Sequence, residues 1–196
     1  GMPMDRAGKV ETRYFITLLQ DPTARSMLRT LFFSLQECQK GARRPKDFPR
    51  TTIKKVGILG AGLMGQGLAL VSAKVGIDVV LLDRDVPSAE RGKERVASSL
   101  QRDLEKGRTT QAKKDALLAR IHATASYEDL AGCDLVVEAV FEDRGIKAAV
   151  TKAAEAVLGP DAVFATNTSG LPITGLAEAS VRPENFIGMH FFPPVG

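Results

Sequence analysis

The apolar and polar positions along the 196-residue chain follow two different patterns, which meet near residue 50. In the first part, Leu28, Leu31, Phe32 and Leu35 recur at i, i+3, i+4 and i+7, the spacing that places side chains on one face of a helix. In the second part, short apolar runs alternate with longer amphipathic stretches, as in parallel sheets covered by helices. The pattern predicts the α/β class, with a doubly wound, mostly parallel sheet after an N-terminal helical segment.

The N-terminal segment is predicted to contain two helices. A short helix is expected over 9–19, and Asp21 or Thr23 is expected to cap a second helix that follows. Gly41 ends the second helix, and a basic, proline-containing linker extends to residue 50. Because nothing else in this segment can bury the apolar face, we expect the face to pack on the following domain or on another copy of the chain.

From residue 54 onward, the alternation predicts five strands, a weaker sixth strand and five helices. The strands are expected at 56–59, 79–82, 135–140, 162–166 and 186–190, with the weaker strand at 121–125. The helices are expected at 63–75, 88–106, 111–120, 144–158 and 173–179. We therefore divide the chain into a helical segment, 1–50, and an α/β domain, 51–196.

Composition narrows the classes of protein. The chain is 44% hydrophobic and 26% charged, as in ordinary soluble globular proteins. No apolar run approaches the roughly 20 residues of a membrane span, and the N-terminal residues lack a secretory signal, so a cytoplasmic location is expected. Two cysteines lie in unrelated segments without a nearby Cys or His at ligand spacing, which predicts neither a disulfide framework nor a metal site.

The formal net charge of +4 arises from the N-terminal part alone. Residues 1–55 contain 12 Lys and Arg against 5 Asp and Glu, whereas the remaining residues contain 15 against 18. No basic stripe with interleaved aromatic residues accompanies the surplus, which argues against binding of nucleic acid.

The strongest local signal is the glycine pattern Gly-Ala-Gly-Leu-Met-Gly at 60–65, between a predicted strand and a predicted helix. In a Rossmann-type fold, Gly60 permits the tight turn, Gly62 lets the backbone approach a pyrophosphate, and Gly65 lets the helix pack close to the strand. Free N–H groups at the helix start then bind the phosphates. The pattern by itself is weak, and a glycine turn without a ligand is the alternative.

An acidic residue in register with this motif strengthens the prediction. Asp83 ends the next predicted strand, 18 residues after Gly65, where a carboxylate accepts hydrogen bonds from the adenosine ribose. The same carboxylate repels a 2′-phosphate, which favours NAD over NADP, although neighbouring Arg84 weakens that preference. Strand, glycines, helix and acid together predict a dinucleotide-binding site for NAD.

Four stretches resemble the NAD-binding half of the 3-hydroxyacyl-CoA dehydrogenases, and most of all the dehydrogenase part of the α subunit of bacterial fatty-acid oxidation complexes. They are residues 56–65, Val-Val-Glu-Ala-Val-Phe-Glu at 136–142, Ala-Thr-Asn-Thr-Ser at 165–169 and Gly-Met-His-Phe-Phe at 188–192. The last two stretches are far more specific than the glycine pattern. Together the four cover nearly all of the predicted α/β domain.

The resemblance implies roles for individual residues. His190 would be the catalytic base, and Ser169 would contact both the nicotinamide and the hydroxyl group of the substrate. Ser99 and Lys106 would bind the CoA part of the substrate, although a solvated helix face is an equally good interpretation of these two. The residues implied to bind the cofactor are Gly60, Gly62, Leu63, Met64, Gly65, Asp83, Val140, Phe141, Glu142, Lys147, Asn167 and Ser169.

The residues taken by themselves leave other interpretations open. A lone histidine in an apolar segment, such as His190, is by default a hydrogen-bonded core residue. Glu138 and Glu142 lie near the carboxyl end of a predicted strand, where open α/β sheets bind ligands, but both could instead cap the next helix. The polar side chains of 167–170 could build a turn or reach a cofactor.

Two positions depart from the family's pattern, and further parts of that pattern are expected outside this chain. Pro193 replaces an asparagine near the nicotinamide and the substrate, and Gly170 replaces a serine. The glutamate that pairs with the catalytic histidine, and the C-terminal helical domain, would follow Gly196. The initial Gly1 is typical of a cleaved tag, and residues 1–50 are similar to the linker that joins an upstream hydratase domain to the dehydrogenase.

The resemblance implies oxidation of (3S)-3-hydroxyacyl-CoA to 3-ketoacyl-CoA with NAD, within a multifunctional enzyme of fatty-acid β-oxidation. It implies an acyl-CoA substrate and, in the parent complex, a thiolase subunit as a partner. The chain alone is expected to bind NAD and to be inactive. The alternative is a catalytically silent NAD-binding or structural protein of the same fold, which Pro193 favours.

Overall fold

The computed structural model describes residues 1–42, 44–47 and 51–192. The chain forms two compact units, Gly1–Thr51 and Thr52–Gly196. Pro193, which departs from the family's pattern, lies outside the described residues. Among the described helices, none combines the length and the apolar character that crossing a membrane requires.

The N-terminal unit is a succession of helical segments. They are α1 (Met4–Gln20), α2 (Pro22–Met27), a π-helical segment (Leu28–Ser34) and α3 (Leu35–Gln39). Asp21, rather than Thr23, caps α2, because its carboxylate accepts hydrogen bonds from the backbone N–H groups of Thr23 and Ala24 at 2.6 and 3.4 Å. Gly41 follows α3 with a φ of +69°, a conformation that glycine adopts without strain.

The predicted apolar face of this unit is exposed. Leu28, Leu31, Phe32 and Leu35 are all exposed, and none of the residues 4–39 is buried. The π-helical segment takes more residues per turn than an α-helix, so the α-helical spacing of these side chains no longer defines one narrow stripe. Packing of this face on another domain or another copy stays a prediction.

The second unit is built on a six-stranded sheet in which every neighbouring pair is parallel. The strands are β1 (Lys55–Leu59), β2 (Asp78–Leu82), β3 (Ile121–Thr124), β4 (Leu135–Glu138), β5 (Val163–Thr166) and β6 (Phe186–Gly188). Their order is β3-β2-β1-β4-β5-β6, which confirms the predicted doubly wound α/β class. The weaker predicted strand is β3, a full member of the ladder at one edge.

Five α-helices belong to this unit. They are α4 (Leu63–Lys74), α5 (Val86–Glu105), α6 (Gln111–Ala119), α7 (Arg144–Glu155) and α8 (Ile173–Ala177). Both β4 and β6 end two residues earlier than predicted, because the last ladder pairs are Glu138 with Thr166 and Thr166 with Gly188. The residues that follow leave the sheet and form loops at its carboxyl edge.

Each face of the sheet has its own apolar core. Ile58 and Leu81 belong to one core, whereas Leu59 and Phe164 belong to the other. Successive residues of a strand point to opposite faces, so the continuous apolar runs of the sequence supply both cores. Phe164 is among the largest fully buried side chains, and its replacement by alanine would cost about 3–5 kcal/mol.

Candidate functional site

The strand order creates a crevice at the carboxyl ends of β1 and β4. The chain passes from β1 to β2 on one side and later returns to β4 on the other side, so the loops after β1 and β4 diverge. Open α/β sheets bind their ligands at such a switch point. The glycine motif follows β1, and residues 140–142 follow β4.

Two glycines are required by the turn after β1. Gly60 has a φ of +98°, and a Cβ atom there would lie 2.7 Å from the carbonyl oxygen of Ala139. A Cβ atom on Gly65 would collide with the carbonyl oxygen of Gly60. Gly62 faces open space, since no atom lies within 4 Å of its Cβ position. The turn therefore presents a backbone surface that a ligand can approach closely.

The start of α4 and the side chain of Asp83 complete this turn. No side chain caps α4, so the N–H groups of its first turn are available to an anion. The two carboxylate oxygens of Asp83 accept the N–H groups of Ala61 and Arg84, each at 2.7 Å, and their remaining lone pairs can accept hydroxyl groups. The guanidinium of Arg84 pairs with Asp85 at 3.0 Å instead of covering Asp83.

Glu138, the last residue of β4, organises a buried polar network. It is 1% exposed, and its two oxygens lie 2.9 and 3.1 Å from Nζ of Lys147, which is 3% exposed. One oxygen also accepts the hydroxyl of Thr166 at 2.7 Å, and the other accepts the N–H of Val140 at 2.8 Å. The hydroxyl of Thr168 lies 2.6 Å from that of Thr166. These bonds offset the desolvation of a buried ion pair.

Glu142 connects the loop after β4 to the loop after β5. Its Oε1 accepts the backbone N–H groups of Ser169 and Gly170 at 3.2 and 2.9 Å, and its Oε2 lies 3.6 Å from Nζ of Lys147. The hydrogen bond from Gly170, together with the charge of Lys147, lowers the pKa of Glu142 below its ordinary value. This carboxylate therefore stays ionised while it holds both loops together.

The alternative interpretation of the two glutamates as helix caps is wrong. Asp143 caps α7, because its Oδ1 accepts the N–H of Ile146 at 2.9 Å. Gly170, where the family has a serine, leaves room for a side chain, since the nearest atom to its Cβ position is Oε1 of Glu142 at 3.6 Å.

His190 is exposed at the carboxyl end of the sheet rather than packed in the core. Its Nδ1 lies 3.1 Å from the carbonyl oxygen of Asn167, and Oδ1 of Asn167 accepts the N–H of Phe191 at 2.7 Å. Because a carbonyl oxygen only accepts, Nδ1 carries the proton in the neutral ring and Nε2 keeps its lone pair. Among the described residues, Nε2 has no hydrogen-bond partner, and no carboxylate forms an ion pair with the ring.

A cleft of about 460 Å³ brings together most of the residues predicted to bind the cofactor, with His190. It is lined by Leu63, Met64, Ala139, Val140, Phe141, Glu142, Lys147, Asn167, Ser169, His190 and Phe191. The three motif glycines and Asp83 form the adjoining turn. Ala139 and Phe191 belong to the resembling stretches 136–142 and 188–192 but were not predicted to line the site. The supporting hydroxyls of Thr166 and Thr168 were also missed, although a glutamate inside an apolar run signals a need for such partners.

A second groove, of about 430 Å³, lies between α4 and α5 and shares Leu63 and Met64 with the cleft. Ser99 lines this groove between Arg95 and Arg102. In the described part of the chain, neither guanidinium has a hydrogen-bond or ion-pair partner. Lys106, the second residue predicted to bind CoA, is exposed after the end of α5 and does not line the groove.

Comparison with known sequences agrees with this geometry. Residues 55–196 match the family profile described as "3-hydroxyacyl-CoA dehydrogenase, NAD binding domain". The fatty acid oxidation complex subunit alpha of Pseudomonas syringae is 40% identical over 191 residues, which are 97% of this chain and 26% of that protein. The subunit from Psychrobacter cryohalolentis is 38% identical over 194 residues, 99% of this chain and 27% of that protein. The chain thus spans about a quarter of the length of these relatives.

Solved structures show the same relationship. The (S)-3-hydroxybutyryl-CoA dehydrogenase of Ralstonia eutropha superposes with a TM-score of 0.71 and 43% identity, over 74% of this chain and 51% of that chain. The 3-hydroxybutyryl-CoA dehydrogenase of Escherichia coli gives a TM-score of 0.71 with 31% identity, over 74% of this chain and 31% of that chain. The open backbone at Gly62, the uncapped α4 and Asp83 fit a dinucleotide. The chain belongs to the family of 3-hydroxyacyl-CoA dehydrogenase NAD-binding domains, and NAD is its cofactor.

Proposed function

We propose that the cleft is the cofactor and hydroxyl-binding half of an active site that oxidises (3S)-3-hydroxyacyl-CoA to 3-ketoacyl-CoA. The observation that carries this proposal is the position of His190, which lines the cleft together with Ser169 and whose Nε2 has no partner among the described residues. NAD, when bound, supplies the hydride acceptor. The protein supplies a base, an orienting hydroxyl and fixed charges around them.

Each side chain has a defined task in this proposal. His190 accepts the proton of the 3-hydroxyl group at Nε2, while its Nδ1–H remains bonded to the carbonyl oxygen of Asn167. Ser169 orients the same hydroxyl group, because its own backbone N–H is held by Glu142 and its side chain faces the cleft. Asp83 binds the adenosine ribose and repels a 2′-phosphate, which selects NAD.

The residues that line the groove between α4 and α5 favour an acyl-CoA as the substrate. It adjoins the cleft through Leu63 and Met64, so one extended ligand can occupy both. Arg95 and Arg102 line the groove with Ser99, their guanidinium groups have no partner among the described residues, and guanidinium groups bind phosphates well. We assign the phosphate-bearing part of CoA to this groove, with Lys106 acting from outside it.

Activity measurements test this role of His190, on a protein that extends the chain through the C-terminal helical domain implied by the resemblance. His190→Gln should lower NADH oxidation with acetoacetyl-CoA by about 10²–10⁴-fold while NADH affinity is kept, because the group that returns the proton to the new hydroxyl in this direction is lost. Asn167→Asp, which retains the backbone carbonyl that orients the ring, serves as a milder comparison. Unchanged turnover in His190→Gln would contradict the assignment of the base.

A catalytically silent protein on the same fold is the second candidate. It is favoured by His190 having a carbonyl partner and, within the described residues, no carboxylate. Loss of a base-orienting carboxylate costs about 10⁴-fold in serine proteases. A longer protein that binds NADH but shows no turnover would support this candidate, and recovery of turnover by Pro193→Asn would contradict it.

The proposal extends to the assembly that contains this domain. The relatives named above are subunits of fatty acid oxidation complexes, and they match this chain from the helical segment onward. We propose that residues 1–50 link the dehydrogenase to an upstream hydratase and that a thiolase subunit is the partner. Co-purification of thiolase activity with the longer protein tests this; its absence would contradict it.

A further inference from the structure

We propose that the charge cluster formed by Glu138, Lys147 and Glu142 sets the preference of the cleft between oxidised and reduced nicotinamide, in favour of NAD⁺. The inference rests on the proposed function, because it takes the cleft as the nicotinamide site. It concerns the relative affinity of two redox forms, which is separate from the question of turnover.

The position of the nicotinamide follows from the strand order. The glycine turn after β1 takes the pyrophosphate, and Asp83 at the end of β2 takes the adenosine ribose. The other half of the dinucleotide must then extend across the switch point toward the carboxyl ends of β4 and β5. Glu142 and Lys147 line the cleft at that place, together with Ser169.

The cluster carries a formal charge of −1 beside this position. Lys147 contributes one positive charge, held 2.9 Å from the carboxylate of Glu138 and 3.6 Å from that of Glu142. The charged residues at the start of α7, its cap Asp143 and its first residue Arg144, are exposed and do not line the cleft. His190 adds no charge in the neutral form that proton acceptance requires, so the two glutamates outnumber the lysine beside the nicotinamide position.

This charge balance acts differently on the two forms of the cofactor. The oxidised nicotinamide ring is a cation, and the reduced ring is neutral. An anionic cluster therefore stabilises bound NAD⁺ relative to bound NADH. A unit charge about 10 Å away, at an effective dielectric constant of about 20, changes such a ratio by about tenfold. Because burial excludes water from Glu138 and Lys147, solvent screens their charges only weakly.

Glu138 acts in this scheme as a positioning residue. Without its carboxylate, the buried ammonium group of Lys147 would face the nicotinamide with only Glu142 as a counter-charge. Glu138 also fixes the N–H of Val140, which lines the cleft, and the hydroxyl of buried Thr166. An amide substitution therefore removes the charge and keeps the size of the side chain, with one oxygen left to accept hydrogen bonds.

The test compares dissociation constants of NAD⁺ and NADH for the chain and for Glu138→Gln. The amide keeps the size of the side chain and an acceptor for Lys147, but it removes the negative charge. We expect the ratio of the NAD⁺ constant to the NADH constant to rise about tenfold. NADH binding can be followed by the fluorescence of NADH itself, to which the chain adds no tryptophan signal. NAD⁺ binding can be followed by its competition with NADH.

Glu155→Gln is the matched control. Glu155 is also buried on α7, and it accepts the hydroxyl of Ser180 at 2.6 Å and the N–H of Val181 at 2.8 Å, away from the cleft. Its substitution should leave the ratio unchanged. A purely structural role of Glu138 would weaken both forms equally, and that outcome would overturn the inference.

Two further outcomes are informative. If Glu138→Gln does not fold, Glu142→Gln removes the same charge from an exposed position and should change the ratio in the same direction; an unchanged ratio there would also overturn the inference. If the unmodified chain binds neither form, the proposed cofactor site itself is wrong, and the inference is wrong with it.

Discussion

The two ends of the parallel sheet use polar side chains in opposite ways. At the amino ends, the carboxylate of Asp134 accepts the backbone N–H groups of Lys54 and Lys55 at 2.7 and 3.0 Å. The ammonium group of Lys55 donates to the carbonyl oxygens of Asp129 and Ala131 at 2.8 and 2.7 Å. These polar groups bond to the backbone of neighbouring segments, and they tie the start of the sheet together.

At the carboxyl ends, polar groups keep bonding capacity that the fold does not use. Nε2 of His190 has no partner among the described residues, and the first turn of α4 has no side-chain cap. Asp83 retains free lone pairs beside the glycine turn. Polar residues at one end therefore stabilise the sheet, whereas those at the other end keep donors and acceptors that are available to a ligand.

The largest effect is expected in the glycine turn. In Gly65→Ala, the added Cβ collides with the carbonyl oxygen of Gly60, so the free energy of unfolding should fall by about 3 kcal/mol or more. Gly62→Ala adds a Cβ atom in open space and should change stability by less than about 0.5 kcal/mol while weakening NADH binding. Denaturant unfolding and NADH titration of both variants measure this. Equal stability losses would contradict the assigned difference.

Two alanine substitutions, one at each end of the sheet, test the difference between the two ends. Asp134→Ala should lower the free energy of unfolding by about 1–3 kcal/mol and leave NADH affinity unchanged, because two backbone N–H groups lose their acceptor. Asn167→Ala, at the cleft, should weaken NADH binding by about threefold to tenfold. If Asp134→Ala weakened NADH binding more than Asn167→Ala did, the division between a stabilising end and a binding end would be wrong.

A smaller effect is expected for the choice between NADH and NADPH at the carboxyl ends of the strands. Asp83→Asn keeps an acceptor for the N–H of Ala61 but removes the charge that repels a 2′-phosphate. The unmodified chain should bind NADH at least about tenfold more tightly than NADPH, and the variant should narrow that gap. Calorimetric titration with both cofactors measures the gap. Comparable affinities in the unmodified chain would remove the role assigned to Asp83.

The smallest effect concerns the dependence of stability on pH. The pKa of Glu142 is lowered in the folded chain, so its stabilising contribution is present above its ordinary value of 4.5 and is lost as the pH falls through the lowered value. Because the side chain is partly exposed, we expect Glu142→Gln to lose less than about 1 kcal/mol at pH 6–7. The difference should vanish in acid. A constant difference across this range would contradict the linkage.

Local sequence patterns determined the elements of this protein and their chemistry. Spacing identified the strands, the helices and the turn at 60–65, because backbone geometry depends on residues close in sequence. The same local reasoning located Asp83 after β2, but it placed His190 inside a predicted strand, 186–190, whereas β6 ends at Gly188. The alternation of elements and the resemblance implied a doubly wound sheet, whereas the order of its strands, and the cleft that unites residues from 63 to 191, came from the structure.

Only the tertiary structure decided which polar atoms are partners. Asp143 caps α7, so Glu138 is free to pair with Lys147, and the carbonyl of Asn167 orients His190 from 23 residues away. Sequence could not show these choices, since each depends on the register of neighbouring strands and on the competition among several nearby acceptors. The structure also leaves Lys106 beyond the end of α5 and outside the groove that contains Ser99, because that groove forms only where α5 packs against α4.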